Sequence, residues 1–241
     1  MPRRGRGSAP PGAEQLLRGG LFEGLRADDI VVVAGAAQRH RVAKRACFFQ
    51  QGDPAGALYV LTEGRAKILQ TSIAGHPVLL SLVGLGDLFG ESTLFGAPQY
   101  PTTAEAMTAC EALRWAAGTI VRLIGRYPRI AVNALHLLGH RLEELQDRYR
   151  ELATEHVEQR IARAVLRLGR QVGRRNADGV LLDLALSRDD LAGLAGTTLY
   201  TVSRVVSGWQ KRGLVKTARA GFLIRRPNAL VAIAEDLSGP R

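Results

Sequence analysis

The sequence predicts an α+β protein: an N-terminal antiparallel β-roll, one long helix, and a C-terminal winged helix-turn-helix. Three observations carry this reading. Up to about residue 116, short apolar stretches alternate with Gly, Pro and acidic turns, which is a strand rhythm. From about Pro128 to Glu155, apolar residues follow a seven-residue repeat with no internal proline and a single glycine, Gly139. Over residues 186 to 215, two short helical patterns with complementary apolar faces flank a turn glycine, Gly196.

The 241 residues suit one large domain or two ordinary ones, and 46% hydrophobic residues suffice for a core, which excludes a disordered or collagen-like chain. The most apolar run, Ile68 to Gly86, carries no formal charge, but Gln70, Thr71, Ser72, His76, Pro77 and three glycines interrupt it. It reads as strands and not as a membrane span. The opening MPRRGRGSAPPGAEQ is basic with no apolar segment behind it, so no secretory signal is visible and a cytoplasmic location is expected. Cys47 and Cys110 fit a reducing compartment and are too few for a metal or cluster site by themselves.

The net charge of +11 is unevenly placed. Residues 1–13 hold three arginines and no acid, residues 14–155 hold 15 basic and 15 acidic side chains, and residues 156–241 hold 15 basic and 7 acidic ones. A basic rear joined to a neutral front points the rear at a polyanion. The expected organisation is a basic disordered tail over 1–13, a β-roll over 14–126, a long helix and its exit over 127–155, and a basic winged helix-turn-helix over 156–241.

In order along the chain, a short helical lead-in occupies Ala13 to Ala37. Strand-like stretches follow at Cys47 to Phe49, Ala57 to Thr62, Arg65 to Gln70, Val78 to Val83 and Ala104 to Ala112. The turns GDPAG, TEG, AGHP and GLGD separate them, each able to supply a positive φ or the fixed φ of proline. The stretch GDPAGALYVLTEGRAKI, with GHPVLLSLVGLGDLFGESTLFG after it, resembles the cyclic-nucleotide-binding roll of the cAMP receptor protein and fumarate-nitrate regulator (Crp-Fnr) family of bacterial transcription factors.

The resemblance implies an effector pocket at Gly90, Glu91, Thr102 and Leu145. In nucleotide-binding members a Gly-Glu pair contacts the ribose, an arginine about ten residues on clamps the cyclic phosphate, and a threonine on the long helix reads the base. Here the arginine position is Pro101 and the base-reading position is Leu145. A buried phosphate without a guanidinium loses its charge-assisted partner, and nothing basic in LFGAPQYPTTAEA replaces it, so cAMP is not expected. Glu91 is then expected to accept turn amides. The clustered N-terminal cysteines of iron-sulfur members are absent, so no cluster is expected. Haem stays open. Of His40, His76, His136, His140 and His156, only His136 and His140 share the i, i+4 spacing, and two ligands without a third make no metal site.

In the long helix, Leu135, Leu138, Leu142, Leu145, Tyr149 and Leu152 are spaced 3, 4, 3, 4 and 3. That is the seam of a left-handed coiled coil, and with the resemblance it implies a parallel homodimer. The competing reading is a helix packed on its own roll. The resemblance also implies a hinge near Ala153 to Val157 through which an effector repositions the rear domains.

A helical pattern at Ile161, Ala164, Val165 and Leu168 ends in the turn GRRNADG. Ser187 then caps a helix with Leu191, Leu194 and Ala195 inside, and Thr197 or Thr198 caps the next, which buries Val202, Val205, Val206 and Trp209. The opposite face offers Tyr200, Ser203, Arg204 and Ser207 to a major groove. Tyr200, Ser203 and Arg204 are the expected base contacts, and Thr198, Thr201, Lys211 and Arg212 the expected phosphate contacts. Lys216, Arg219, Arg225 and Arg226 punctuate an expected wing with Ala220-Gly221 at its tip. The serine and arginine match the recognition helix of the fumarate-nitrate regulator branch. The glutamate usual three residues before that serine is Tyr200 here, so the preferred operator differs from the family's commonest one.

The partners expected are an inverted-repeat duplex, RNA polymerase and a second copy of the chain, with no membrane. Enzymes are excluded, because the sequence offers no Gly-rich phosphate loop, metal triad or nucleophile with an evident base. Two rivals remain: a cyclic-nucleotide module with some other output, and a general nucleic-acid binder that uses the basic tail and rear domain with the roll as an inert scaffold. For Arg204 itself the competing reading is an intradomain salt bridge.

Overall fold

The computed structural model describes residues 20–71, 75, 77–182, 186–218 and 221–237, so the 1–13 tail, His76, Arg219 and Ala220 lie outside the described residues. The chain divides into two compact units, residues 1–76 with 81–144, and residues 145–241 with 77–80. The division falls inside the long helix, between Glu144 and Leu145.

Up to Thr154, a 3-10 turn at Gly20–Phe22 and helix α1 (Ala27–Gly35) lead into eight strands among the described residues. These are β1 (Gln38–Val42), β2 (Cys47–Phe49), β3 (Ala57–Glu63), β4 (Ala66–Thr71), β5 (Pro77–Val83), β6 (Leu88–Phe89), β7 (Thr103–Ala106) and β8 (Cys110–Ala116). They form two four-stranded sheets, β1-β8-β3-β6 and β2-β7-β4-β5. Helix α2 (Ala117–Arg126) and the long helix α3 (Arg129–Thr154) follow.

Strand β3 shows why the apolar run ALYVL lacks polar alternation. Its side chains alternate between two cores, so both faces are dry. Ala57, Tyr59 and Leu61 point into the roll with Phe48, Phe49, Phe89 and Tyr100. Leu58 and Val60 face the helical layer with Phe22, Val33, Trp115 and Ile120. The Trp115 indole donates to the Val33 carbonyl (2.9 Å), which ties β8 to α1. Buried Asn133 donates to the Leu21 and Glu23 carbonyls at 3.0 and 2.8 Å, fixing the start of α3 against the lead-in.

Two sequence expectations are corrected. Ala104 to Ala112 is not one strand: it breaks at Met107–Ala109, where the Met107 and Thr108 amides both donate to the Arg65 carbonyl. Strand β1 was not expected at all, because its sequence QRHRV is mostly polar. It exists because it pairs with β8 along five residues, with Arg41 bonded to buried Glu111 across that pair at 2.7 Å.

In the second unit α4 (Val157–Val172) precedes the strands β9 (Gly173–Asn176) and β10 (Gly179–Leu182). GRRNADG is therefore not a bare turn: only Ala177 and Asp178 turn, and the flanks pair as a hairpin. Helices α5 (Arg188–Ala195) and α6 (Leu199–Lys211) come next, then β11 (Val215–Ala218), β12 (Gly221–Ile224) and α7 (Pro227–Ala234). The wing strands join the hairpin in one sheet of order β11-β12-β10-β9. Among the described residues no helix is long and apolar enough to cross a membrane.

Candidate nucleic-acid interface

Local chemistry builds the two-helix motif. The Ser187 hydroxyl accepts from the Asp190 amide (2.9 Å), and the Asp190 carboxylate accepts from the Ser187 amide (2.9 Å), a reciprocal cap that starts α5. Leu191, Ala192 and Ala195 are buried, and Leu194 is half-buried. The chain then reverses at Gly196, whose φ of 59° and ψ of 49° are left-handed. A Cβ there would also sit 2.5 Å from a methyl carbon of Leu152, so glycine serves both the turn and the packing. Of the two candidate caps for α6, Thr198 is the one used, accepting from the Thr201 amide at 3.3 Å.

On α6, Val202, Val206 and Trp209 are fully buried and Val205 is half-buried. The Trp209 indole donates to Glu158 on α4 (2.7 Å), and Arg212 donates to the same carboxylate oxygen (2.9 Å). The buried face is thus anchored by both apolar contact and a charged acceptor. The opposite face is open. Tyr200 is 76% exposed, Arg204, Ser207 and Lys211 are exposed, and Ser203 is half-buried. Arg204 has no hydrogen bond or ion pair among the described residues, so the salt-bridge reading of this guanidinium has no partner behind it. Gln210 reaches Thr217 on β11 (2.9 Å), tying the recognition helix to the wing, and Lys216, Arg225 and Arg226 are exposed on that side.

Sequence reasoning missed Glu158 and Arg160, because apart from the Glu155 carbonyl the partners they hold lie 35 to 54 residues away. It also placed Arg212 simply as a phosphate neighbour, whereas the structure engages its guanidinium with Glu158.

The predicted effector residues are placed as follows. Gly90 is left-handed (φ 77°), and a Cβ would lie 2.9 Å from the Ala57 carbonyl, so the turn admits only glycine without rearrangement. Glu91 does not accept turn amides as expected: its carboxylate pairs with Arg141 of α3 at 2.9 Å. The long helix thus brings a guanidinium to Glu91, three residues before the segment LFGAPQYPTTAEA, which has no basic residue of its own. Tyr100 stacks on Phe49 with centroids 3.8 Å apart and accepts from the Ala57 amide (2.8 Å), leaving Pro101 exposed and Thr102 half-buried. Leu145 lies exposed on α3.

All six seam residues, Leu135, Leu138, Leu142, Leu145, Tyr149 and Leu152, are between 46% and 76% exposed. His140 pairs with Glu143 (3.3 Å), and among the described residues no three His, Cys, Asp or Glu are grouped to hold a metal. His40 packs beside the rings of Phe48 and Tyr59, 5.8 Å from each, and burial and then Arg114 hold its pKa below the usual imidazole value. Burial, and then Glu105, push the Cys47 thiol up, which keeps it protonated.

Comparison with known proteins agrees with this architecture. The Cyclic nucleotide-binding domain family matches residues 39–127, and the Crp-like helix-turn-helix domain family matches residues 159–233. The Cyclic AMP receptor protein of Thermus thermophilus is 31% identical over 218 residues, covering 90% of this chain and 98% of its own. The Fumarate and nitrate reduction regulatory protein of Escherichia coli is 24% identical over 193 residues, covering 80% of this chain and 77% of its own. Among solved structures, the c-di-GMP responsive global regulator of Xanthomonas campestris is 25% identical with a TM-score of 0.71, covering 83% of this chain and 99% of its own. The first of these relatives is named as a receptor protein and the other two as regulators, none as an enzyme, and the chain belongs to the Crp-Fnr family of transcription regulators.

Proposed function

We propose that the protein is a homodimeric, sequence-specific transcription regulator of the cytoplasm, controlled by a signal sensed in the roll and passed along α3. The observation that carries this is the division of α6 into a fully buried stripe and an open face whose Arg204 is uncommitted. Tyr200, Ser203 and Arg204 contact base edges, Arg204 as a bidentate donor to guanine O6 and N7. Thr198, Thr201, Lys211 and Arg212 contact phosphates. Arg212 does so from a position held by Glu158. RNA polymerase is the partner at the promoter.

The exposed seam supports the second copy. It runs 18 residues, about 25 Å of helix, and a monomer would leave it in water. Its flanks differ: Arg141 and Arg148 line one side, and Gly139, Gln146 and Ala153 the other. In a parallel pair each arginine flank, with Arg141 held by Glu91 and Arg148 bonded to the Leu80 carbonyl, meets the smaller neutral flank of the other copy, whereas an antiparallel pair crowds arginine against arginine. This favours the parallel arrangement, which directs both recognition helices to one side.

The effector is not cAMP. Pro101 offers no cation, and Arg141 is already occupied by Glu91. Relatives differ in this respect: the Thermus protein is named for cAMP and the Xanthomonas one for c-di-GMP, so family membership alone does not fix the ligand.

The test is selection of bound duplexes from a random pool. A twofold pair of recognition helices recovers an inverted repeat with half-sites one helical turn apart, about 34 Å. A recovered pool with no shared sequence supports the general-binder rival instead.

A further inference from the structure

Arg160, in the first turn of α4, donates through all three guanidinium nitrogens to main-chain carbonyls. Nε bonds the Ala195 carbonyl (3.0 Å), Nη2 the Gly196 carbonyl (3.3 Å) and Nη1 the Glu155 carbonyl (2.9 Å). Those acceptors belong to two different helix ends. Ala195 and Gly196 close α5, where the Gly196 and Thr197 amides already take the Gly193 and Ala192 carbonyls. Glu155 follows the last residue of α3. One cation therefore satisfies carbonyls at the negative ends of two helix dipoles.

The same corner is fastened twice more. Glu155 pairs with Arg163 (3.0 Å), and buried Glu151 accepts two bonds from Arg167 (2.7 and 3.0 Å). The link between α3 and α4 falls within Ala153 to Val157, where a hinge was expected, yet its last helical turn is bolted to α4 at three points.

From this we infer that Arg160 is a positioning residue for the DNA interface. It locks the C-terminal turn of α3 to the turn between α5 and α6, so the attitude of the recognition helix follows α3 through one guanidinium instead of swinging at a free joint. The inference rests on the DNA-binding reading above. It needs arginine and not merely a positive charge, because a lysine ammonium is a point donor that cannot span three carbonyls on two helix ends.

Two arms test it on the full-length protein with Arg160→Lys and Arg160→Gln. The first needs no DNA: amide hydrogen exchange followed at residues 155–156 and 196–197, whose amides are hydrogen-bonded in this corner. Both variants should raise exchange about tenfold in the two segments together, while the amides around buried Trp209 keep their protection. Acceleration in only one segment, or an Arg160→Lys protein that exchanges like the parent, overturns the inference.

The second arm compares a full inverted repeat, obtained by selection, with one isolated half-site. Arg160→Lys should weaken the full site about tenfold and the half-site less than about twofold, because only the full site requires both recognition helices to be correctly set. Equal losses on both overturn the positioning role. A parent protein indifferent to sequence would refute the DNA-binding reading, while the exchange arm would still decide whether Arg160 joins the two helix ends.

Discussion

Arg204→Ala separates reading DNA from merely holding it. The side chain is exposed and has no partner among the described residues, so its loss should move fold stability by no more than about 0.5 kcal/mol. A bidentate guanidinium-guanine pair contributes about 1–3 kcal/mol of discrimination. Two copies on a twofold operator are far enough apart to add, giving roughly 2–6 kcal/mol, or from about 30-fold to more than ten-thousand-fold in affinity for the selected site. Random duplex should lose far less, because it is held by the phosphate contacts of Thr198, Thr201, Lys211 and Arg212 and by the +8 charge of the rear segment. Fluorescence anisotropy with selected and scrambled duplexes, at several salt concentrations, reads both numbers. Equal losses on the two duplexes, with a shallower salt slope for each, would show that Arg204 is only one more positive charge and would refute the reasoning.

Other outcomes follow from the same geometry. Leu142→Asp combined with Leu145→Asp removes four apolar side chains from a pair, roughly 6 kcal/mol or more, and sedimentation should then find monomer; an unchanged dimer places the interface elsewhere. Calorimetry with cAMP at micromolar concentration should show no saturable heat, and a tight isotherm would overturn the reading of Pro101. Gly196→Ala forces a Cβ into left-handed backbone at about 1–2 kcal/mol, and should lower the Tm by about 2 to 8 °C; an unaltered Tm would mean the turn tolerates a side chain. His40 is harder to protonate in the folded chain than in the unfolded one. The unfolded chain therefore takes up the proton first, and the stability contributed by neutral His40, present above about pH 6.5, is lost as pH falls through the window down to its lowered folded pKa. Denaturant titrations between pH 7 and 5 should show a decline that His40→Phe makes shallower, and parallel declines in the two proteins would count against this linkage.

The helix-turn-helix was legible because its determinants are local. Ser187 and Thr198 cap within three residues of themselves, Gly196 supplies the left-handed turn from its own backbone, and Val202, Val206 and Trp209 repeat at helical spacing. Strands β2 to β5 were legible for a similar reason, since apolar runs between turn residues need no knowledge of partners. Strand β1 was not: QRHRV becomes a strand only through β8, some seventy residues on, where Glu111 receives Arg41. The break at Met107–Ala109 follows from the distant Arg65 carbonyl. At the predicted effector residues, Gly90 could be found from its motif, but Arg141 could not, because a separation of fifty positions says nothing about which arginine of α3 returns to Glu91. Arg160 escaped for a related reason. Main-chain carbonyls carry no sequence signature, so a side chain that binds three of them is invisible until the chain is folded.

The most direct measurement is methylation protection of guanine N7 on the selected duplex, since N7 faces the major groove where Arg204 is proposed to sit. The account predicts two protected guanines related by a twofold axis and about one helical turn apart, both of which become reactive with Arg204→Ala. Protection confined to one position, absent from the major groove, or unchanged by Arg204→Ala would contradict it.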